Sequence, residues 1–199
     1  GAGGLPLSAH SGAPHLAGPF PLEATPFDLA ISEMSLGEMS AAIQSGRLTS
    51  RTLVEGYLDR IERIDRRGPT INSVLELNPE ALALADALDR ELQERGPRSR
   101  LHGIPILVKD NIGTGDRMHT SAGSLALAGF RAPEDAFLVA RLREAGCVIL
   151  GKANMSEWAN ARGRGSIGGW SARGWISRNP YVLDRSPGGS SSGTAASVS

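Results

Sequence analysis

An α/β fold is predicted, a sheet covered by helices, and three observations predict it. Two short runs are apolar throughout, Ile104 to Val108 and Cys147 to Leu150, and read as strands. A helical stretch from about Glu134 to Ala145 separates them, and glycine-rich turns punctuate the chain from Leu101 onward. Strands apolar on both faces sit inside a sheet flanked by helices, and in such sheets ligands collect beyond the strand ends.

Before Leu101 the sequence is mainly helical. Residues 1–24 form a Gly/Ala/Pro-rich leader without periodicity, read as flexible. Ser35 and Glu38 have the spacing of a capping box, and with Met39, Ile43 and a stop at Gly46 they predict a short helix. A second helix is predicted from Thr49 or Ser50 to about Asp65, because Leu53, Val54, Tyr57, Leu58, Ile61 and Ile64 recur at helical spacing and Gly68-Pro69 follows. Val74 to Leu77 reads as a short strand. Asn78 then reads as the cap of a helix with Pro79 in its first position, which puts Ala81, Ala85, Leu88 and Leu92 on one face until Gly96-Pro97. The last residues, Thr194 to Val198, look like a helix just beginning, so the chain reads as the N-terminal portion of a longer protein.

Composition narrows the functional classes. Lys+Arg and Asp+Glu both number 21, and no block of like charge forms a patch for nucleic acid or membrane. No apolar stretch approaches the ~20 residues of a membrane span. The four histidines, at 10, 15, 102 and 119, fall in no triad or metal-ligand spacing. The single cysteine, Cys147, lies in an apolar run and reads as a buried, inert thiol. Neutral small substrates fit this balance better than polyanions. Compartment and oligomeric state stay open.

Two features carry candidate chemistry. Lys109 stands directly after a predicted strand, where a lysine either snorkels to water or sits half-buried with a lowered pKa, able to act as a base. Lys152 follows the other strand and reads as a strand-end lysine reaching water. The run Ser186-Pro187-Gly188-Gly189-Ser190-Ser191-Ser192-Gly193 admits three readings. It is a flexible linker by composition. It is an anion or nucleotide loop by its glycines before a helix, although the Gly-Lys-Ser/Thr of a phosphate loop is absent. Or it is a serine cluster held rigidly for proton transfer, which a basic lysine would complete.

Four segments in order then carry a resemblance: Leu101-His102-Gly103-Ile104-Pro105-Ile106-Leu107-Val108-Lys109-Asp110-Asn111, Thr120-Ser121-Ala122-Gly123-Ser124, Gly151-Lys152-Ala153-Asn154-Met155-Ser156-Glu157-Trp158-Ala159, and Asn179-Pro180-Tyr181 with Ser186 to Gly193. In this register the chain resembles the amidase signature family from about Pro26 onward. Within it, Ser124-Leu125-Ala126-Leu127, Ser156 to Asn160 and Gly169-Trp170-Ser171-Ala172-Arg173-Gly174 are similar to bacterial peptide amidases.

The resemblance implies a mixed sheet core flanked by helices, with residues 25–199 as the N-terminal portion of one domain: 25–100 mainly helical, 101–199 the start of the catalytic core. It implies a Ser-cisSer-Lys triad in which Lys109 is the proton acceptor and Ser190, reached through a cis peptide bond, the bridging serine. Ser121, Gly123, Ser124, Gly188, Gly189 and Ser191 are the expected substrate-binding or supporting residues. The family's nucleophile lies roughly 24 residues beyond the bridging serine, past Ser199, so this chain alone is expected to be inactive; Ser191 and Ser192 are poor substitutes. The implied activity is hydrolysis of carboxamides, peptide C-terminal amides foremost, with no metal or organic cofactor. Two alternatives are a noncatalytic anion- or nucleotide-binding module using Gly188 to Gly193, and an ammonia-transferring amidotransferase component working within a complex.

Three further expectations concern single residues. Asp110 and Asn111 orient Lys109 or cap the following turn. Trp158 packs within a helix that starts at Asn154 to Glu157. Arg173 and Trp175 sit on a loop facing substrate.

Overall fold

The computed structural model describes residues 31, 33–161, 165 and 167–199. The leader expected over residues 1–24 lies outside them. Helix α1 (Leu36–Gln44) opens with the expected capping box, Ser35 N–H donating to Glu38 Oε2 at 2.8 Å while Ser35 Oγ accepts from Glu38 N–H at 3.3 Å. Its Ala42 and Ile43 are buried, and Ile43 packs with Leu53 and Ile104.

Helix α2 (Ser50–Arg60) begins where the N–H groups of Ser50 and Arg51 reach the Asp89 carboxylate at 2.7 and 3.0 Å. The helix expected to run to Asp65 is α-helical only to Arg60 and continues as a π-helix over Ile61–Arg67. That wider turn carries Asp65 inward, where its carboxylate accepts from Ser73 N–H and Ser73 Oγ, both at 2.6 Å, and from Val74 N–H at 3.1 Å.

Strand β1 (Val74–Leu77) follows, then α3 (Ala81–Arg95). Asn78 is not the cap of α3. Its side chain is drawn into the sheet, donating through Nδ2 to Ile149 O at 2.8 Å, while its Oδ1 accepts from Glu80 N–H at 2.9 Å; the helix starts two residues later than Pro79 suggests. The expected apolar face does form, with Ala81, Ala85 and Leu88 buried.

Strand β2 (Pro105–Lys109), helix α4 (Phe137–Glu144) and strand β3 (Val148–Ala153) complete the core. The three-stranded sheet has the order β1–β3–β2, antiparallel between β1 and β3 and parallel between β2 and β3. This is the mixed α/β sheet that was expected. β1, from the mainly helical stretch, pairs with β3 from the later one, so both stretches share one sheet. All six residues of β3 are buried, and alternate ones serve opposite layers. Val148 and Leu150 pack with Val54, Ala85 and Leu88 beneath α2 and α3; Ile149 packs with Val108, Met118 and Val139 beneath α4. Cys147 is buried, and burial pushes its thiol up to about 11. Among the described residues no helix is long and apolar enough to cross a membrane.

Candidate active site

The polar ends of β2 and β3 meet four loops. Lys109 closes β2, and the turn after it is tied by Ile112 N–H donating to Lys109 O at 2.9 Å. The Lys109 amine donates to Ser190 Oγ at 2.7 Å and to Ser191 Oγ at 3.0 Å. Partial burial lowers its pKa from the usual lysine range, which favours the neutral amine.

Ser190 follows a cis Gly189–Ser190 peptide bond. Its carbonyl accepts from Ser156 N–H at 3.0 Å, and the wholly buried Ser156 accepts through Oγ from Gly169 N–H at 2.8 Å. A Cβ on Gly189 would lie 2.4 Å from Ser156 Oγ, so no other residue fits there without displacement. Helix α5 (Ser192–Ser197) starts two residues before Thr194. At its entry a Cβ on Gly193 would lie 2.3 Å from Ser73 O, and the Gly193 N–H is already donated to Asn154 O at 2.9 Å. That amide is therefore engaged, which weighs against an anion-cradling loop. Gly188 and Gly189 are exposed, Ser191 is exposed, and Ser192 is buried.

The segment after Thr120 binds the Asp110 carboxylate. Ser121 donates through Oγ to Asp110 Oδ2 at 2.6 Å, and the N–H of Gly123 donates to the same oxygen at 2.8 Å. Asp110 is wholly buried; burial pushes its pKa up against these donors, against Arg173 and against Lys152. Ser124 caps a single 3₁₀ turn over Leu125–Leu127. Asn111 is exposed.

Lys152 does not snorkel to water. It lies inside β3, wholly buried, and its amine donates to Ile112 O at 2.5 Å and Thr120 Oγ1 at 3.0 Å. Burial lowers its pKa to about 8, against the pull of Asp110, Asp116 and Glu76. The strand ends at Ala153 rather than Leu150 because these acceptors let a lysine remain in it.

Arg173 is turned into the same network. It pairs with Glu76 through Nη2 and, through Nη1, donates to Ser121 Oγ at 3.2 Å and approaches Asp110 Oδ1 at 3.5 Å. Glu76 also accepts from His119 Nδ1 at 2.9 Å. Trp175 is 66% exposed. Trp158 is not packed: it is 45% exposed, at φ 50° in a 3₁₀ turn over Glu157–Asn160, where its N–H donates to Ala122 O at 3.0 Å.

Reading Asn154 only as a helix start misses its role. It is wholly buried, donating through Nδ2 to Asn72 O and Gly174 O at 3.0 Å each and accepting through Oδ1 from Ser171 Oγ at 2.9 Å. The signal in the sequence is period-two polarity: Lys152, Asn154 and Ser156 alternate with Ala153 and Met155, the pattern of a strand whose polar face is buried in a network.

Fold and geometry define a class, an α/β protein in which a lysine amine meets a serine hydroxyl at the end of the sheet. The chain belongs to the amidase family, whose profile, described as Amidase, matches residues 52–199. The native peptide amidase of Stenotrophomonas maltophilia superposes with a TM-score of 0.81 and 55% identity, over 83% of this chain and 34% of that one. A probable amidase of Arabidopsis thaliana is 47% identical over 171 residues, 85% of this chain and 33% of its own length. A glutamyl-tRNA(Gln) amidotransferase subunit of Halorhodospira halophila is 46% identical over 169 residues, 83% of this chain and 32% of its own. The chain thus spans about a third of the length of these relatives.

Proposed function

We propose that the protein hydrolyses carboxamides through a Ser-cisSer-Lys triad, with Lys109 and Ser190 as two of its members and peptide C-terminal amides as substrates. The observation that carries this reading is the 2.7 Å contact between Lys109 Nζ and Ser190 Oγ at the cis peptide bond. A hydroxyl can accept one proton and donate another, so Ser190 relays the proton of an attacking serine to the neutral Lys109 amine. The ammonium then returns it through Ser190 to the leaving nitrogen, and water frees the acyl group. The attacking serine lies, in this reading, on sequence after Ser199, so the 199-residue chain by itself releases no ammonia. The 55% identity to a peptide amidase supports the choice of substrate.

A second reading is favoured by the 46% identity to one component of an amidotransferase: ammonia set free at the same site passes to an acceptor bound by a partner. The test is ammonia release from a peptide C-terminal amide by three forms: this chain, the chain with its native downstream sequence, and the extended Lys109→Ala variant. Release by the extended wild type alone supports the triad. No release from a folded extended protein removes the peptide-amide reading, and release only when a partner is added favours the transferase.

A further inference from the structure

The mechanism above leaves one large buried charge without a task. Lys152 and Lys109 lie on adjacent parallel strands, with Val108 opposite Lys152 and Lys109 opposite Ala153. The Lys152 amine does not point to the serines. It holds the carbonyl of Ile112, the residue whose N–H closes the turn on Lys109 O, and the hydroxyl of Thr120, which leads into the segment that binds Asp110. Asp110 itself is fixed to β3 by its N–H, donating to Ala153 O at 3.1 Å. The turn that starts at Lys109 is therefore pinned at Asp110 and at Ile112, and a buried cation makes the second pin.

The charges around Lys152 are arranged to keep it a cation. Glu76 is its register partner on β1, Asp110 belongs to the pinned turn, and Asp116 lies on the loop before Met118; Arg173 opposes them. A hydrogen bond from an ammonium is stronger than one from a neutral donor, so this pin is worth more than an ordinary turn contact.

We propose that Lys152 is a positioning residue for Lys109, holding the turn that sets the reach of the Lys109 amine to Ser190. Its effect on turnover rests on the amide-hydrolysis reading, whereas its effect on Lys109 itself does not. A displacement of about 1 Å at a reacting group can cost 100-fold in rate, so small slack in this turn matters.

Two substitutions separate position from charge. Lys152→Met removes the pin and a neighbouring positive charge together; Thr120→Val removes one acceptor and leaves the charge. Both are made in the chain with its native downstream sequence, and the Lys109 ¹³Cε resonance, identified by its loss in Lys109→Ala, is titrated by NMR. A loosened turn lets water reach the amine, so the Lys109 midpoint moves upward in both variants. In parallel, kcat for a peptide amide falls by about 100-fold in Lys152→Met and by about threefold in Thr120→Val, with KM within about twofold of wild type. A midpoint unmoved in Thr120→Val overturns the proposal, even where Lys152→Met shifts it, because that shift is then the lost charge alone. Should Lys152→Met fail to fold, Thr120→Val alone decides. If the wild type hydrolyses no amide, the substrate reading fails while the NMR titration still tests the positioning.

Discussion

The two sides of this molecule are held together by different forces. Beneath α2 and α3 the contacts are apolar: Val54, Ala85, Leu88, Val148 and Leu150 exclude water and need no particular angles. At the ends of β2 and β3 the contacts are hydrogen bonds made by buried Asp110, Ser121, Lys152, Asn154 and Ser156, each of which must find its partner. Precision is concentrated on the second side. An apolar layer tolerates repacking, whereas a buried polar network specifies one arrangement, and here that network surrounds the lysine and the serine.

The largest effect that would separate the two sides is that of Lys109→Ala. In the extended protein it is expected to lower kcat/KM for a peptide amide by about 1000-fold or more while leaving the urea midpoint close to wild type. The opposite outcome is expected of Leu53→Ala, wholly buried in the helical layer: a loss of about 3 kcal/mol by urea unfolding, with kcat unchanged under native conditions. A Leu53→Ala protein that keeps its stability but loses its rate would erase the division between the two sides. Asn154→Ala should do both in smaller measure, costing about 2 kcal/mol through the Gly174 carbonyl and the Met155 N–H whose bonds it removes, with a fall in kcat as the Ser156 segment loosens. Near-wild-type stability in that variant would show that the network is not the framework we describe.

The smallest effect is on pH dependence, and its sign follows from Lys152. Its folded pKa of about 8 lies below the ordinary 10.5 of a lysine. Below pH 8 both folded and unfolded forms carry the proton and the cost of burying the charge is felt in full. Between about 8 and 10.5 the unfolded form binds more protons, so this residue makes stability rise with pH. Chemical denaturation across that window should give a slope that is more positive in wild type than in Lys152→Met. The proposed mechanism carries a second signature: kcat/KM is expected to rise with pH through the lowered pKa of Lys109, the base of that mechanism.

What can be read in the sequence divides along the same line. The helical layer is legible because apolar spacing and capping residues are local signals: Ser35 with Glu38 and the Ala81, Ala85, Leu88 face all stand where the pattern puts them. Lys109 and Ser190 are legible as a pair only through a family resemblance, since nothing local joins residues 81 positions apart. Lys152 and Asn154 show in the sequence only as a period-two polar pattern, and Arg173 not at all, for one shared reason. A polar residue is expected at the surface, and only partners supplied by distant segments, such as Ile112, Gly174 and Glu76, make its burial favourable.

The separation between Lys109 and Ser190 also has a consequence in time. A ribosome adds about 5–20 residues each second, so Ser190 is made some 4–16 s after Lys109. By then Ser73, Asn154 and Ser156, which receive the serine loop, have all been synthesised. During synthesis these partners thus precede the serine loop, and amine and hydroxyl cannot meet until residue 190 is made.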